Sequence, residues 1–283
     1  MLRNIRAAMR FRSFEWNPEL RRLSHAACTE DLRRIAQKRL PRGVFDYIDG
    51  AADDELTKAR NTAAFDEVDL VPDVLAGVEK IDTACTIMGR RSELPLVLSP
   101  TALQRAFHRD GEKAVARAAA KFGVWFGISS LATHSIEEIA ALTSAPKLFQ
   151  LYVHKDKGLN TSMIERCKAS GFDALALTVD TIVSGKRERC LRSGFTTPPR
   201  FSASSLWSYA TRPRWTLDYV FGPKFRLPNL DGYVSEGSGK AVSIQDYFNT
   251  MLDTGMDWDT AARIRQDWGG TFALKGVMSA ADA

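Results

Sequence analysis

Two pairs of polar side chains interrupt otherwise apolar runs. Gln150 and Tyr152 lie in KLFQLYV (147–153), and Thr178 and Asp180 lie in DALALTVD (173–180). In an extended strand, residues two apart face the same side, so each pair would point in one direction. Lys275 closes the run TFALKG (271–276), Ser129 and Ser130 close VWFGISS (124–130), and Ser99-Pro100-Thr101-Ala102 follows LPLVLS (94–99). Together they offer amide, phenol, hydroxyl, carboxylate and ammonium groups. Such a set can hold a polar ring or a small anion, and a fixed ammonium can answer negative charge that develops during a reaction. A simpler account, that strand-end Ser, Thr and Asp residues cap the helices that follow, covers any one of them. It does not cover Gln150, Tyr152 or Lys275, because a lysine inside a buried strand is costly unless it meets an anion or an electron-rich group.

The elements that would position these groups can be read from the pattern. The five runs predict strands that are apolar on both faces, as in a parallel sheet covered by helices. Between them, GEKAVARAAAKF (111–122), SIEEIAAL (135–142), KGLNTSMIERCKAS (157–170) and a segment around 258–268 predict helices. Upstream, Thr29 caps a predicted helix over about 30–40, ended by Pro41 and Gly43, and FDYIDGAADDE reads as a helical turn broken by glycine. Residues 183–245 read as a long irregular insertion, and another helix is expected to start at 278–283. Repeated βα units fit either an open doubly wound sheet or a closed barrel. No GxGxxG or GxxxxGK[ST] phosphate loop occurs, which favours an α/β chain of the TIM (β/α)8-barrel type. About five of eight βα units are present. Two unpaired sheet edges are then an expected aggregation liability.

The bulk numbers exclude several classes. Lys and Arg number 39 against 34 Asp and Glu, a net charge of +5, which is no nucleic-acid signature. Cys28, Cys85, Cys167 and Cys190 are scattered, with neither Cys-x-x-Cys nor His at ligand spacing. Neither a metal site nor a disulfide framework is expected, and a reducing, cytoplasmic setting fits. Residues 1–28 read as a basic tail. Arg3, Arg6, Arg10 and Arg12 surround a face of Leu2, Ile5 and Met9, a pattern that suits a membrane surface, a presequence or a disordered basic arm. Residues 29–283 form the partial barrel.

Phe45-Asp46-Tyr47-Ile48-Asp49-Gly50-Ala51-Ala52, Ser99-Pro100-Thr101-Ala102, Ser129-Ser130-Leu131-Ala132-Thr133, Phe149-Gln150-Leu151-Tyr152-Val153, Leu177-Thr178-Val179-Asp180-Thr181 and Leu274-Lys275-Gly276-Val277 occur in this order. In this the chain resembles the FMN-dependent 2-hydroxy-acid dehydrogenases and oxidases, the family of glycolate oxidase and L-lactate dehydrogenase, from about residue 28 onward. The resemblance implies FMN as cofactor, with the backbone of Pro100, Thr101 and Ala102 lining the flavin ring. It places Ser129, Gln150 and Thr178 on the ring's polar edge and Lys275 beside the N1–C2 carbonyl. It implies that Tyr47 and Tyr152 meet the substrate's carboxylate and hydroxyl, that Arg187 is a substrate-loop arginine, and that Asp180 orients a protonated catalytic histidine. Tyr152 and Asp180 are the catalytic candidates; Tyr47, Tyr152 and Arg187 the substrate-binding ones. The bland alternatives are packing for the two tyrosines and a solvated loop charge for Arg187.

The departures are informative. The family's His-Gly-Gly-Arg segment and its later phosphate-holding Asp-x-Gly and Gly-Arg segments are absent, and His25, His108, His134 and His154 match none of them. A C-terminally truncated chain, inactive alone, is the expectation. Ile182 and Val183 replace the usual proline and polar residue after Val-Asp-Thr, so the loop's shape, and with it substrate size, can differ. The insertion mixes Trp207, Tyr209, Trp215, Tyr219, Phe221 and Phe225 with Arg200, Arg212, Arg214, Lys224 and Arg226, which suits a membrane interface. Similarity to membrane-associated members implies oxidation of an L-2-hydroxy acid, L-lactate first, with electrons passed to a quinone, cytochrome or other respiratory acceptor. It further implies a peripheral contact on the inner membrane and a homo-oligomer, a tetramer at full length. The competing readings are a peptide-precursor maturase of the same family, signalled by a wide pocket near 182–200, and a non-catalytic remnant.

Overall fold

The structure is a computed structural model and describes residues 15–181, 183–195, 202–231 and 250–283. Among the described residues four helices come first: α1 (Pro18–Leu23), α2 (Thr29–Arg39), α3 (Arg42–Asp49) and α4 (Leu56–Ala63). An antiparallel hairpin follows, β1 (Cys85–Ile87) with β2 (Arg90–Ser92). Then strands and helices alternate: β3 (Val97–Leu98), α5 (Gly111–Phe122), β4 (Trp125–Ser129), α6 (Ile136–Ala140), β5 (Lys147–Leu151), α7 (Lys157–Ala169) and β6 (Ala174–Thr178). After β6 come α8 (Glu188–Ser193), α9 (Ala203–Ala210), α10 (Pro213–Phe221), α11 (Trp258–Trp268) and β7 (Thr271–Lys275). The strands form one parallel sheet in the order β3-β4-β5-β6-β7, the incomplete barrel that the pattern predicts.

Register sorts the strand residues into two faces. Phe126, Ile128, Phe149, Leu151, Leu175 and Leu177 pack outward under the helices, against Ala116, Ile136, Ile139, Leu159, Met163 and Ile264. Each such large apolar side chain contributes roughly 1.5–3 kcal/mol through burial. The alternate residues face inward. Trp125, Leu148, Ala174 and Ala176 form a second cluster with Val97, Ala273 and the hairpin tip, Ile87 and Met88. That tip turns through Met88 and Gly89, both at positive φ, as a tight hairpin requires. Arg90 pairs with Asp173 at 3.2 Å. The hairpin therefore closes the inner face at the end where the parallel strands begin.

Several expectations need correction. Strand β3 is only two residues long, because Pro95 lacks the N–H of a ladder donor and the chain bends over 93–95. Thr29 lies inside α2, and its N-cap is Cys28 without a side-chain bond. The tail 1–28 contains α1, held by the Asn17 side chain accepting from the Glu19 and Leu20 amides. The described part of the stretch 183–245 is largely helical, since Ser202 caps α9 with Ser205 and Pro213 starts α10. No helix forms at 278–283; Ser279 Oγ instead donates to the Asp282 carboxylate at 2.6 Å, closing a turn. The amphipathic pattern over 1–14, Ile182, Arg200 and residues 232–249 lie outside the described residues.

Asp49, at the end of α3, ties the N-terminal helices to α8. Its carboxylate accepts from Arg33 at 2.5 Å, Arg189 at 2.8 Å and Lys58 at 3.3 Å. The Arg33 bond, aided by Arg189 and Lys58, holds this carboxyl far below the usual range against the opposing effect of burial. Asp49→Asn is expected to cost about 1–2 kcal/mol at neutral pH, moderated because Arg33 and Lys58 are partly wet. A folded value below the unfolded one means stability that is present above the unfolded value and lost as pH falls through the folded one. Urea midpoints of wild type and variant should therefore converge in acid; a constant gap would refute the assignment.

Candidate active site

The polar strand-end residues converge. Ser129 pairs across the sheet with Gln150, and Thr178 with Lys275, so all four share the inward face with Ala176 and Ala273. Gln150 Nε2 donates to Thr178 Oγ1 at 2.6 Å. Ser129, Gln150 and Thr178 are almost fully buried, whereas Lys275 is exposed on the last described strand. Among the described residues Lys275 pairs with no acid. Ser129 Oγ accepts from the Leu131 amide at 3.2 Å, which turns the chain after β4.

Pro100 sits directly on β4. A Cβ at Gly127 would lie 2.7 Å from Pro100 Cδ and 2.9 Å from its nitrogen, so only glycine lets the Pro100-Thr101-Ala102 backbone come down over the sheet. Leu103, at positive φ, then donates its amide to the Leu131 carbonyl at 3.1 Å. The loops after β3 and β4 are thereby fastened together.

A second fastening was not expected from the sequence. Glu112, in the first turn of α5, is fully buried. It accepts from the Gln104 and Thr133 amides at 3.2 and 3.0 Å and from Thr133 Oγ1 at 2.6 Å, and it meets His134 Nδ1 at 2.7 Å. Burial pushes its carboxyl up, but the bonds from His134 and Thr133 outweigh that and leave it below the ordinary glutamate value. The only sequence signal was an acid in a first helical turn, which dipole arguments explain equally well.

Tyr47 and Tyr152 come close enough to interact, and Asp180 adds to the negative surroundings of Tyr152. Burial raises the Tyr152 phenol to about 12, with Tyr47 and Asp180 contributing. Burial also raises Tyr47, opposed by the Arg187 guanidinium 4.8 Å above its ring. Both phenols thus stay protonated hydrogen-bond donors at neutral pH. Tyr47 also stacks on Phe195 at 4.8 Å. Arg187 Nη2 donates to the Tyr47 and Gly50 carbonyls, strapping the end of α3, while its buried Nε meets no acceptor. Asp180 is exposed and accepts from Thr181 Oγ1 at 3.0 Å. Gly276, at φ +105, leaves room for it, since a Cβ there would lie 2.5 Å from Asp180 Cβ.

The described histidines are committed elsewhere or lie in other surroundings. His134 faces Glu112 and His154 faces Asn160 Oδ1 at 3.2 Å. His108 Nδ1 accepts from the Asp110 amide at 3.2 Å, and His25 is on the surface.

Comparisons with known proteins agree with this arrangement. The sequence profile of the FMN-dependent dehydrogenases matches residues 36–283. A putative L-lactate dehydrogenase of Mycobacterium tuberculosis is 34% identical over 283 residues, covering 100% of this chain and 67% of that protein. An L-lactate dehydrogenase of Caulobacter vibrioides is 38% identical over 259 residues, covering 90% and 66%. Among solved structures, the monotopic membrane protein (S)-mandelate dehydrogenase superposes with a TM-score of 0.84 at 32% identity, over 92% of this chain and 68% of that one. A putative lactate oxidase of Pediococcus acidilactici superposes with a TM-score of 0.70 at 28% identity, over 91% of this chain and 62% of that one. The chain thus spans about two thirds of the length of the relatives it matches. With a matched profile over most of its length and the strand-end polar groups gathered on one face, this chain belongs to the FMN-dependent dehydrogenase family.

Proposed function

We propose that the chain forms the ring-facing and phenol-bearing part of an FMN-dependent L-2-hydroxy-acid dehydrogenase site, with L-lactate as the first substrate to test. The carrying observation is the buried set Ser129, Gln150 and Thr178 on one inner face beneath the Pro100–Ala102 backbone. These residues fit a flat ring with a polar edge. Gly127 supports the close backbone approach, and among the described residues no protein donor reaches the Gln150 side-chain oxygen. Lys275 would place its charge beside the N1–C2 carbonyl of bound FMN. FMN supplies two-electron acceptance when bound.

The chain's own residues do the rest. Tyr47 and Tyr152, both protonated, donate to the carboxylate and hydroxyl of a 2-hydroxy acid. Arg187 keeps Tyr47 in place through its ring and carbonyl contacts. Asp180 would orient a protonated base, as an orienting carboxylate does in a triad. Oxidation also needs that base within reach of the substrate, and none of the described histidines stands there. We therefore expect these 283 residues to bind FMN without turning over lactate.

The insertion exposes Leu206, Trp207, Leu217, Val220 and Phe221. These side chains favour a peripheral membrane contact and a quinone-type acceptor, although no described helix is long and apolar enough to cross a membrane. The test is a titration of the purified chain with FMN, followed by a dye-reduction assay with L-lactate and (S)-mandelate. A bound visible flavin band, weakened about tenfold in Gln150→Ala by loss of one buried polar partner, with negligible turnover, is the expected result. Absence of flavin binding would overturn the cofactor reading, and family-like turnover would overturn the missing base.

A further inference from the structure

Two residues of the insertion support Tyr47 from different directions. The first support runs through the helix that carries it. The N-cap of α3 is Pro41, which makes no side-chain bond to the helix start, and the first amides of a helix lack partners within it. Ser208 Oγ of α9 accepts from the Arg42 amide at 2.8 Å, so the insertion supplies the missing cap. Val44 and Phe45 of α3 also pack with Leu40 and with Trp215 of α10, in a cluster separate from the barrel core.

The second support runs through the ring on which Tyr47 stacks. The Trp215 indole is buried, and its Nε1 donates to the Ala106 carbonyl at 2.9 Å. Phe107, the next residue, stacks on Tyr47 with ring centres 6.2 Å apart and planes 14° apart. Trp215 cannot swing freely. It stacks on Tyr209 at 5.7 Å and on Tyr219 at 5.0 Å, each 13° from parallel, and Thr216 Oγ1 fixes the α9–α10 corner by donating to the Tyr209 carbonyl at 2.8 Å. Arg105 Nη1 adds a bond from the same loop to the Lys224 carbonyl at 2.8 Å. Packing alone asks for a ring at position 215. It does not ask that the ring's one polar atom hold the carbonyl beside Phe107.

The Pro100–Ala102 backbone has separate holds, the close contact with Gly127 and the Leu103–Leu131 hydrogen bond. Loss of the Trp215 donor should therefore reach Tyr47 more than the flavin wall. We propose that Trp215 is a positioning residue for the Tyr47 phenol, which it aims at the 2-hydroxy acid by holding Ala106 and, with it, Phe107. The assignment rests on the substrate role proposed above for Tyr47 and adds what orients it. A donor oriented before its ligand arrives spares part of the ordering cost of binding.

The experiment is fluorine NMR of the full chain loaded with FMN and labelled with 3-fluorotyrosine at its six tyrosines. The Tyr47 signal is identified by its loss in Tyr47→Phe, and L-lactate is titrated against it. Trp215→Phe keeps a flat ring in the stack and removes the donor. Ser208→Ala removes the cap of α3 without opening the core. Ile264→Val, in the separate barrel core, controls for lost stability. Before lactate is added, the Tyr47 signal should be displaced in Trp215→Phe and in Ser208→Ala, and stay in place in Ile264→Val. Lactate affinity should fall about tenfold in Trp215→Phe, the weight of one charge-assisted hydrogen bond, with FMN affinity little changed. Wild-type lactate affinity in both insertion variants overturns the positioning role and leaves the substrate role of Tyr47 standing. Equal losses in Ile264→Val reduce the effect to general loosening and also overturn it. If lactate leaves the wild-type Tyr47 signal unmoved, the substrate role itself falls, and the positioning role with it.

Discussion

Glu112→Ala is expected to lower the unfolding free energy by about 3–5 kcal/mol, the range for removing one partner from a buried ionic network. The loss is large because the variant strands four groups at once: two amides, a threonine hydroxyl and the His134 ring. Urea titration at neutral pH measures it, and a change under about 1 kcal/mol, the typical point-mutant effect, would show that the carboxylate is dispensable. The same site contributes to acid lability. Its folded value lies below the ordinary 4.5, so its contribution is present above the unfolded value and disappears as pH falls through the folded one. Wild type should lose this increment in acid, and Glu112→Ala should lack it. Under the proposed function FMN affinity should fall as well, since Glu112 ties the segment after Pro100–Ala102 to the loop that follows Ser129.

Gly127→Val is expected to weaken FMN binding by at least about tenfold while costing about 1–3 kcal/mol of stability, the usual range for overpacking. The added Cβ meets Pro100 backbone, not a flexible side-chain tip, at 2.9 Å, so relief must come from lifting the 100–102 segment off the sheet. Gly171→Ala separates this cause from general strain. Its φ is also unfavourable at +68, but nothing lies within 4 Å of the added methyl. That variant should lose some stability and keep its flavin affinity. Comparable flavin loss in both variants would mean that the close approach at Pro100 is not what shapes the site.

Much of this arrangement was legible in the sequence, for identifiable reasons. Strands buried on both faces leave continuous apolar runs, and polar interruptions such as Gln150 and Thr178 mark the inner face, whereas Tyr152 and Asp180 lie just past the strand ends. Helices α5 and α7 carry their own stop signals in Gly123 and Gly171, both at positive φ. The hairpin β1–β2 was not legible. Its strands are three residues long and lack a clean alternation, and its turn marker, Met88-Gly89, is weak alone. The Glu112 staple could not be read either, because its partners, Gln104, Thr133 and His134, are brought to it only by tertiary folding. The helices of the insertion were obscured by aromatic residues spread around their surfaces, which blur the apolar stripe that periodicity needs. Arg187 was placed with the substrate; the geometry adds that one of its terminal nitrogens is already engaged by backbone.

The hairpin tip under the sheet limits where a ligand of the inner face can sit. With Ile87 and Met88 packed against Trp125, Leu148, Ala174 and Ala176, side chains fill the inner face where the strands begin, and Ser129, Gln150 and Thr178 lie at its other end. Two visitors that need the same wall cannot occupy it together. Under the proposed function, an electron acceptor that used this same wall would have to wait until the oxidised product had left it.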